Sequence, residues 1–220
     1  MNPTTMLPFG SRALLVSLLA LLLAPAAATA EDAQDVLARV RKKYDSITDA
    51  TLTFSQDVRF PLAGINQRLE GRLLLKKTNK YRVELDGQTI VTNGQTVWSY
   101  AAATNQVLID RFKLNERTLS PERLLTTAPD EYVSRIVGKE KVGPAETVVL
   151  LLTPRSESSS VKSLKLWVDE GTSLVKQVLL VDINSRETQY TVRDIDINKG
   201  LEDSRFVFDI PEGVEVVDLR

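Results

Sequence analysis

From Asp49 onward the residues alternate in character with a period of two. Leu52, Phe54, Gln56 and Val58 interleave with Thr51, Thr53, Ser55 and Asp57, the pattern of a half-buried strand rather than of a helix. Strand-like runs recur at 67–77, 80–86, 88–93, 95–101 and 105–111, then at 131–139, 145–153, 162–169, 174–182 and 186–197. The joints are short and made of turn formers: Asp86-Gly87, Asn93-Gly94, Asp169-Glu170-Gly171 and Asn184-Ser185. Asn93-Gly94 predicts a type I′ hairpin, with positive φ at both positions. Connections of this length cannot carry the crossovers that parallel pairs need. The chain is therefore expected to form a mainly β fold of the α+β class, one curved antiparallel sheet of about eleven strands.

Such a sheet must bury one face. Val36, Leu37, Val40, Tyr44 and Ile47 recur at spacings of three and four between Arg39, Arg41, Lys42 and Lys43, which predicts an amphipathic helix starting near Glu31 and Asp32. Laid across the concave side of the sheet, it would supply the cover. Ser120-Pro121-Glu122-Arg123-Leu124-Leu125 reads as a second, short helix with a serine cap and proline in its first turn.

The first thirty residues read as an export signal. Arg12 precedes an aliphatic run from Ala13 to Ala24, Pro25 ends it, and Ala28-Thr29-Ala30 offers small residues for cleavage before Glu31. The run is too short to span about 30 Å of hydrocarbon. Residues 31–220 would then be one soluble domain, expected to be a monomer outside the cytoplasm. Its charge follows from 28 basic and 29 acidic residues in the whole chain. Losing Arg12 leaves 27 against 29, a net −2, which gives no electrostatic reason to bind nucleic acid.

Neither Cys nor His occurs anywhere in the sequence. That removes disulfides, thiol nucleophiles, His-based triads, and the Cys/His ligand sets for zinc, copper and haem, so no cofactor or metal is expected. It also removes the cysteine that would anchor an exported lipoprotein. Carboxylate chemistry survives on residue type alone. Asp194 and Asp196, two apart on a strand, point to one face, but nothing in the sequence would drive their pKa values apart, and an enzyme is not expected.

Leu73-Leu74-Leu75 and the run from Val148 to Leu152 are continuous apolar stretches, as in strands with apolar surroundings on both faces. Trp98 and Tyr100 share one face of their strand by alternation. Periodicity does not separate a filled core from a hollow one.

Four segments carry a resemblance that spans residues 31–220. They are Leu52-Thr53-Phe54-Ser55-Gln56, Asn93-Gly94-Gln95-Thr96-Val97-Trp98-Ser99-Tyr100, Phe206-Val207-Phe208, and Pro211-Glu212-Gly213-Val214. In this order, behind an export signal, they resemble the periplasmic lipoprotein-carrier (LolA) family. The resemblance implies an unclosed half-barrel of eleven strands with a helical lid, and a carrier that moves acylated lipoproteins from the inner to the outer membrane. It implies as partners an inner-membrane lipoprotein-releasing transporter and an outer-membrane acceptor lipoprotein. The lipid cavity is expected at Leu52, Phe54, Leu73, Leu75, Tyr81, Val83, Ile90, Trp98 and Tyr100, with Tyr81 near the mouth. Lys77 stands where the family pattern Lys-Arg-Pro has a lid-binding arginine; here the residues are Lys76-Lys77-Thr78. Lysine lacks the planar fork of donors, so Lys77 would latch a lid differently, or Arg72 or Arg82 would substitute. Two other binding roles fit the same architecture: a lipid or lipoprotein sensor governing an envelope-stress response, and a carrier of another lipid.

Overall fold

The structure, a computed structural model, describes residues 32–113 and 131–220. The chain divides into Met1–Ala30 and Glu31–Arg220, and the second unit is described here. The expected cleavage site and the expected short helix at Ser120–Leu125 lie outside the described residues.

Helix α1 spans Ala33–Asp45. The Asp32 carboxylate accepts the Gln34 N–H at its start, and Asp35 in the first turn and Lys42 and Lys43 in the last suit the helix dipole. Ala33, Val36, Leu37 and Val40 form its buried stripe. Ile47, expected on the same stripe, is buried just beyond the helix end.

Eleven strands follow where alternation places them: β1 Asp49–Phe60, β2 Ile65–Lys76, β3 Lys80–Leu85, β4 Gln88–Asn93, β5 Thr96–Ala101 and β6 Gln106–Arg111, then β7 Tyr132–Val142, β8 Ala145–Pro154, β9 Val161–Asp169, β10 Val175–Asp182 and β11 Glu187–Ile197. A 3₁₀ turn at Asp203–Phe206 leads to a twelfth, β12, at Glu215–Asp218. All belong to one unclosed sheet in the order β12-β6-β5-β4-β3-β2-β1-β11-β10-β9-β8-β7. The expected half-barrel is present, with two corrections. There are twelve strands, and β12 runs parallel to β6. A four-residue strand is too short to show a period, and residues 198–214 give the chain enough length to return and pair parallel.

The Asn93-Gly94 turn also departs from expectation. Gly94 has φ of 91°, whereas Asn93 stays out of the positive-φ region. The Asn93 side chain instead accepts the N–H groups of Gln95 and Thr96, both at 2.9 Å, and so closes the turn itself. Gly94 is needed for a second reason: a Cβ there would stand 2.6 Å from the Thr78 carbonyl oxygen.

The sheet carries two covers, one on each face. Over β7–β10, the stripe of α1 packs on Val148, Leu150, Leu152, Leu164, Leu166, Val168 and Leu180. Over β2–β6 the C-terminal segment covers the other face. Its 3₁₀ turn packs on β3 and β4 and buries Phe206 completely, in a region where Leu74, Val91 and Val107 are also buried.

A polar joint holds the start of β1 to the end of β11. The buried Asp49 carboxylate accepts the N–H groups of Lys199 at 2.9 Å and Gly200 at 3.1 Å and the Thr48 hydroxyl at 3.2 Å. Asn198 accepts the Thr48 N–H at 2.7 Å and donates its amide to the Ser46 carbonyl. Burial alone would raise the Asp49 pKa, but the donors from Lys199, Gly200, Thr48 and Leu201 together outweigh it and hold the carboxyl below its ordinary range.

Candidate functional site

Residues directly opposite one another on neighbouring strands share a face of the sheet. Register therefore sorts the expected cavity residues. Leu52 pairs with Leu73, Leu73 with Val83, and Val83 with Ile90. One step along the strands, Ala50 pairs with Leu75, and Leu75 with Tyr81. On the other side of β1, Gln56 pairs with Tyr190, Tyr190 with Val178, Val178 with Leu166, and Leu166 with Leu150 beneath α1. Thus Leu52, Phe54, Leu73, Leu75, Tyr81, Val83 and Ile90 lie on the helix-covered face, continuing its apolar core onto β1–β4.

Trp98 and Tyr100 lie on the opposite face. Trp98 pairs with Val91 and Ile109, and Tyr100 with Thr89 and Val107. The Tyr100 ring meets Phe208 at a centroid separation of 5.7 Å. The structure brings seven of the nine expected cavity residues together and places these two, half-buried, on the other face, where Tyr100 meets the C-terminal segment.

Of the seven, Phe54 is buried and the other six are half-buried. Phe54 keeps its place because its cross-strand neighbour is Gly71: a Cβ at Gly71 would stand 2.5 Å from the Phe54 ring. The other edge of that ring faces Tyr190, at 6.1 Å. Tyr81 stands edge-on to Phe112, at 6.3 Å, and its burial raises the hydroxyl pKa. Val58, Leu69, Leu85, Val178, Tyr190 and Val192 share this face and were not singled out in the sequence. The alternation of β1 contained the signal for Val58, but the others needed the register.

Lys77, just past β2, donates to the Asp45 carbonyl at 2.5 Å, in the last turn of α1. Its backbone N–H donates to the Thr48 carbonyl. Its described contacts thus anchor the C-terminal end of the helix, where a cation also suits the dipole. Arg82 pairs with Glu84 at 2.6 Å. It lies opposite Leu74 and Val91, and Arg72 opposite Thr53 and Glu84, on the face away from α1. Lys76 and Lys80 both hold Asp203 at 2.7 Å, which fastens the 3₁₀ turn and lowers the Asp203 pKa to about 2.

The polar groups gather elsewhere. A recess of about 500 Å³ is lined by Thr53, Glu70, Arg72, Glu84, Arg193 and Asp194, with Gly71 and Leu85. Arg193 meets Glu70 at 2.6 Å, and Thr53 donates to Asp194 at 3.0 Å. Asp194 and Asp196 are both exposed. Among the described residues no cluster of three or more acidic side chains is placed to hold a metal ion. The helix-covered face of β1–β4 thus offers aliphatic and aromatic surface but no constellation of acid, base and nucleophile.

The profile of the family described as outer membrane lipoprotein carrier protein LolA matches residues 45–209, from the last residue of α1 to beyond β11. The chain belongs to this family. Among curated proteins, the outer-membrane lipoprotein carrier protein of Azotobacter vinelandii is 28% identical over 215 residues, covering 94% of this chain and 97% of the relative. That of Chromohalobacter salexigens is 28% identical over 186 residues, covering 81% and 85%. Among solved structures, an uncharacterized conserved protein from Thermus thermophilus superposes with a TM-score of 0.58 at 18% identity, covering 84% of this chain and 98% of that one. That likeness supports the fold. The family match spans all the strands that build the apolar face, and β12 falls beyond it.

Proposed function

We propose that the chain is a non-enzymatic periplasmic carrier that shields the acyl chains of lipoproteins between the inner and outer membranes. The family membership supports lipoprotein carriage, and one observation carries the reading: the face shared by Leu52, Leu73, Leu75, Tyr81, Val83 and Ile90 continues the core under α1 yet stays half-buried. A structural core would be filled at these positions. A surface for a hydrocarbon guest would look as this one does.

The energetics fit such a guest. Each methylene taken from water contributes about 0.8 kcal/mol, so a sixteen-carbon chain is worth on the order of 10 kcal/mol. Curved apolar surface collects that without directional bonds, so cargo selection would rest on the lipid rather than on the attached protein. Residues 1–30 would direct export and be removed after Ala30, leaving a chain with no cysteine of its own to acylate. A transporter that releases lipoproteins from the inner membrane and an acceptor at the outer membrane would be its donor and recipient.

The test is acyl binding by residues 31–220, read by displacement of a fluorescent fatty acid. Leu73→Glu puts a charge in the middle of the apolar face and should weaken binding at least about tenfold, since one such apolar contact is worth about 1.5–3 kcal/mol. Arg72→Glu, one residue along and on the other face, should leave binding unchanged. Equal binding by both variants would remove this face as the lipid surface.

A further inference from the structure

The hairpin of β1 and β2 is twice as long as its neighbour: each strand has twelve residues, and β3 has six. Pairing with β3 begins only at Gly71, so Ile65–Glu70 run past the end of β3. The projecting end is apolar where a hairpin tip is ordinarily polar. Residues 60–67 read Phe-Pro-Leu-Ala-Gly-Ile-Asn-Gln and hold no charge. Leu62 is 93% exposed and Ile65 56%. Beside the tip stands the turn between β10 and β11, with Ile183 64% exposed. The two turns flank a recess of about 230 Å³ lined by Phe60–Ala63, Asp182, Asn184 and Arg186.

Register joins this tip to the lipid-binding face. On β1 the face runs through Leu52, Phe54, Gln56, Val58 and Phe60, and on β2 through Leu73, Gly71, Leu69, Gln67 and Ile65, paired rung by rung. Only two neutral amides interrupt the apolar track. Below the tip sits a collar of guanidinium groups, each close to a carboxylate. Arg59 faces Glu187 at 3.8 Å, Arg68 faces Asp57 at 3.7 Å and Glu70 at 3.4 Å, and Arg186 faces Asp182 at 3.3 Å.

We propose that this tip, with Ile183, seats in the interfacial layer of a lipid bilayer and so holds the open end of the β1–β2 track at the membrane surface, where donor and recipient stand. The purpose rests on the carrier reading above; the contact itself rests on the tip. The recess beside the tip is small, about 230 Å³, and Leu62 and Ile65 stand exposed and project from the tip; a bilayer accepts such apolar side chains without matching their shape. The collar matches the zwitterionic headgroup layer, with arginines able to reach phosphates while their carbon stems lie along apolar surface. Its near balance of charge makes neutral lipid sufficient, and leaves the contact weak enough to reverse.

The experiment is flotation of residues 31–220 with phosphatidylcholine vesicles, with fatty-acid binding measured on the same samples. The wild type should float in part, Leu62→Asp should float at least about tenfold less, and Val133→Asp, at another exposed apolar position, on edge strand β7, should float like the wild type. Leu62→Asp should still bind fatty acid, because Leu62 lies beyond the track. Equal flotation of wild type and Leu62→Asp overturns the proposal, as does a wild type that does not float with phosphatidylcholine vesicles. Concentration-dependent self-association abolished by Leu62→Asp, without flotation, overturns it in favour of a contact between copies of this chain. Flotation that depends on Leu62 in a protein binding no fatty acid upholds the tip and removes the carrier reading instead.

Discussion

Phe206→Ala is expected to lower the melting temperature by on the order of 10 °C. Phe206 is fully buried on the face away from α1, where its turn packs on β3 and β4. Truncating such a ring costs about 3–5 kcal/mol, and each kcal/mol moves the transition of a domain this size by about 2–4 °C. The C-terminal segment should loosen before the rest. Its other described ties to β2 and β3 are polar: the exposed pairs of Asp203 with Lys76 and Lys80, and the bond that Lys76 donates to the Leu201 carbonyl at 2.6 Å. Differential scanning calorimetry would give the shift, and limited proteolysis should find its first new cuts within 207–214. An unshifted transition would mean that the C-terminal cover adds nothing to the stability of the sheet.

Asp49→Asn should be comparably damaging through chemistry rather than volume. The variant loses a buried charge held by backbone donors from Lys199 and Gly200, and sets an amide N–H₂ among groups that need an acceptor. A cost of about 3 kcal/mol is expected near neutral pH. The sign of the pH dependence follows from the lowered folded pKa. The unfolded chain holds its proton more tightly, so stabilisation by Asp49 is fully present above the ordinary value of 3.8 and is lost as pH falls through the folded pKa. The gap between wild type and Asp49→Asn, measured by urea unfolding, should therefore be constant from pH 7 to about 5 and narrow below about 4. A gap that widened in acid would show that the carboxyl is protonated in the folded protein.

Element existence was legible because alternation and turn chemistry agreed along most of the chain. β1 and the strands from β3 to β6 needed only residue type and spacing. What the sequence could not supply was phase. Alternation says that Trp98 and Tyr100 share a face, but which one depends on how the turn at Gly94-Gln95 sets β5 against β4. The observed register puts Trp98 opposite Val91 rather than beside the row of Ile90. Leu73-Leu74-Leu75 hid its phase for another reason: both faces are apolar there, so Leu74 belongs to the Phe206 core while its neighbours belong to the helix-covered face. Lys77 was legible as a cation at a strand end. Its target was not, because the Asp45 carbonyl comes within reach only when α1 lies across the sheet. The apolar character of the hairpin tip is legible in the letters of residues 60–65, but its projection is not, since the length of β1 and β2 relative to β3 is a property of the sheet.

The placement of the two covers has a mechanical consequence. One core lies over β7–β10 on one side and the other over β2–β6 on the reverse, and β1 and β11 lie between them. There, β1 and β11 pair through a register shift at Thr53/Phe54, which leaves Arg193 as a residue too many. A bulge costs ladder bonds and adds twist. Flexing at this seam would open or narrow the trough while each packed end moves as a rigid plate. Native-state amide exchange should show the signature, with faster exchange at 53–54 and 192–194 than at Leu150 or Val91.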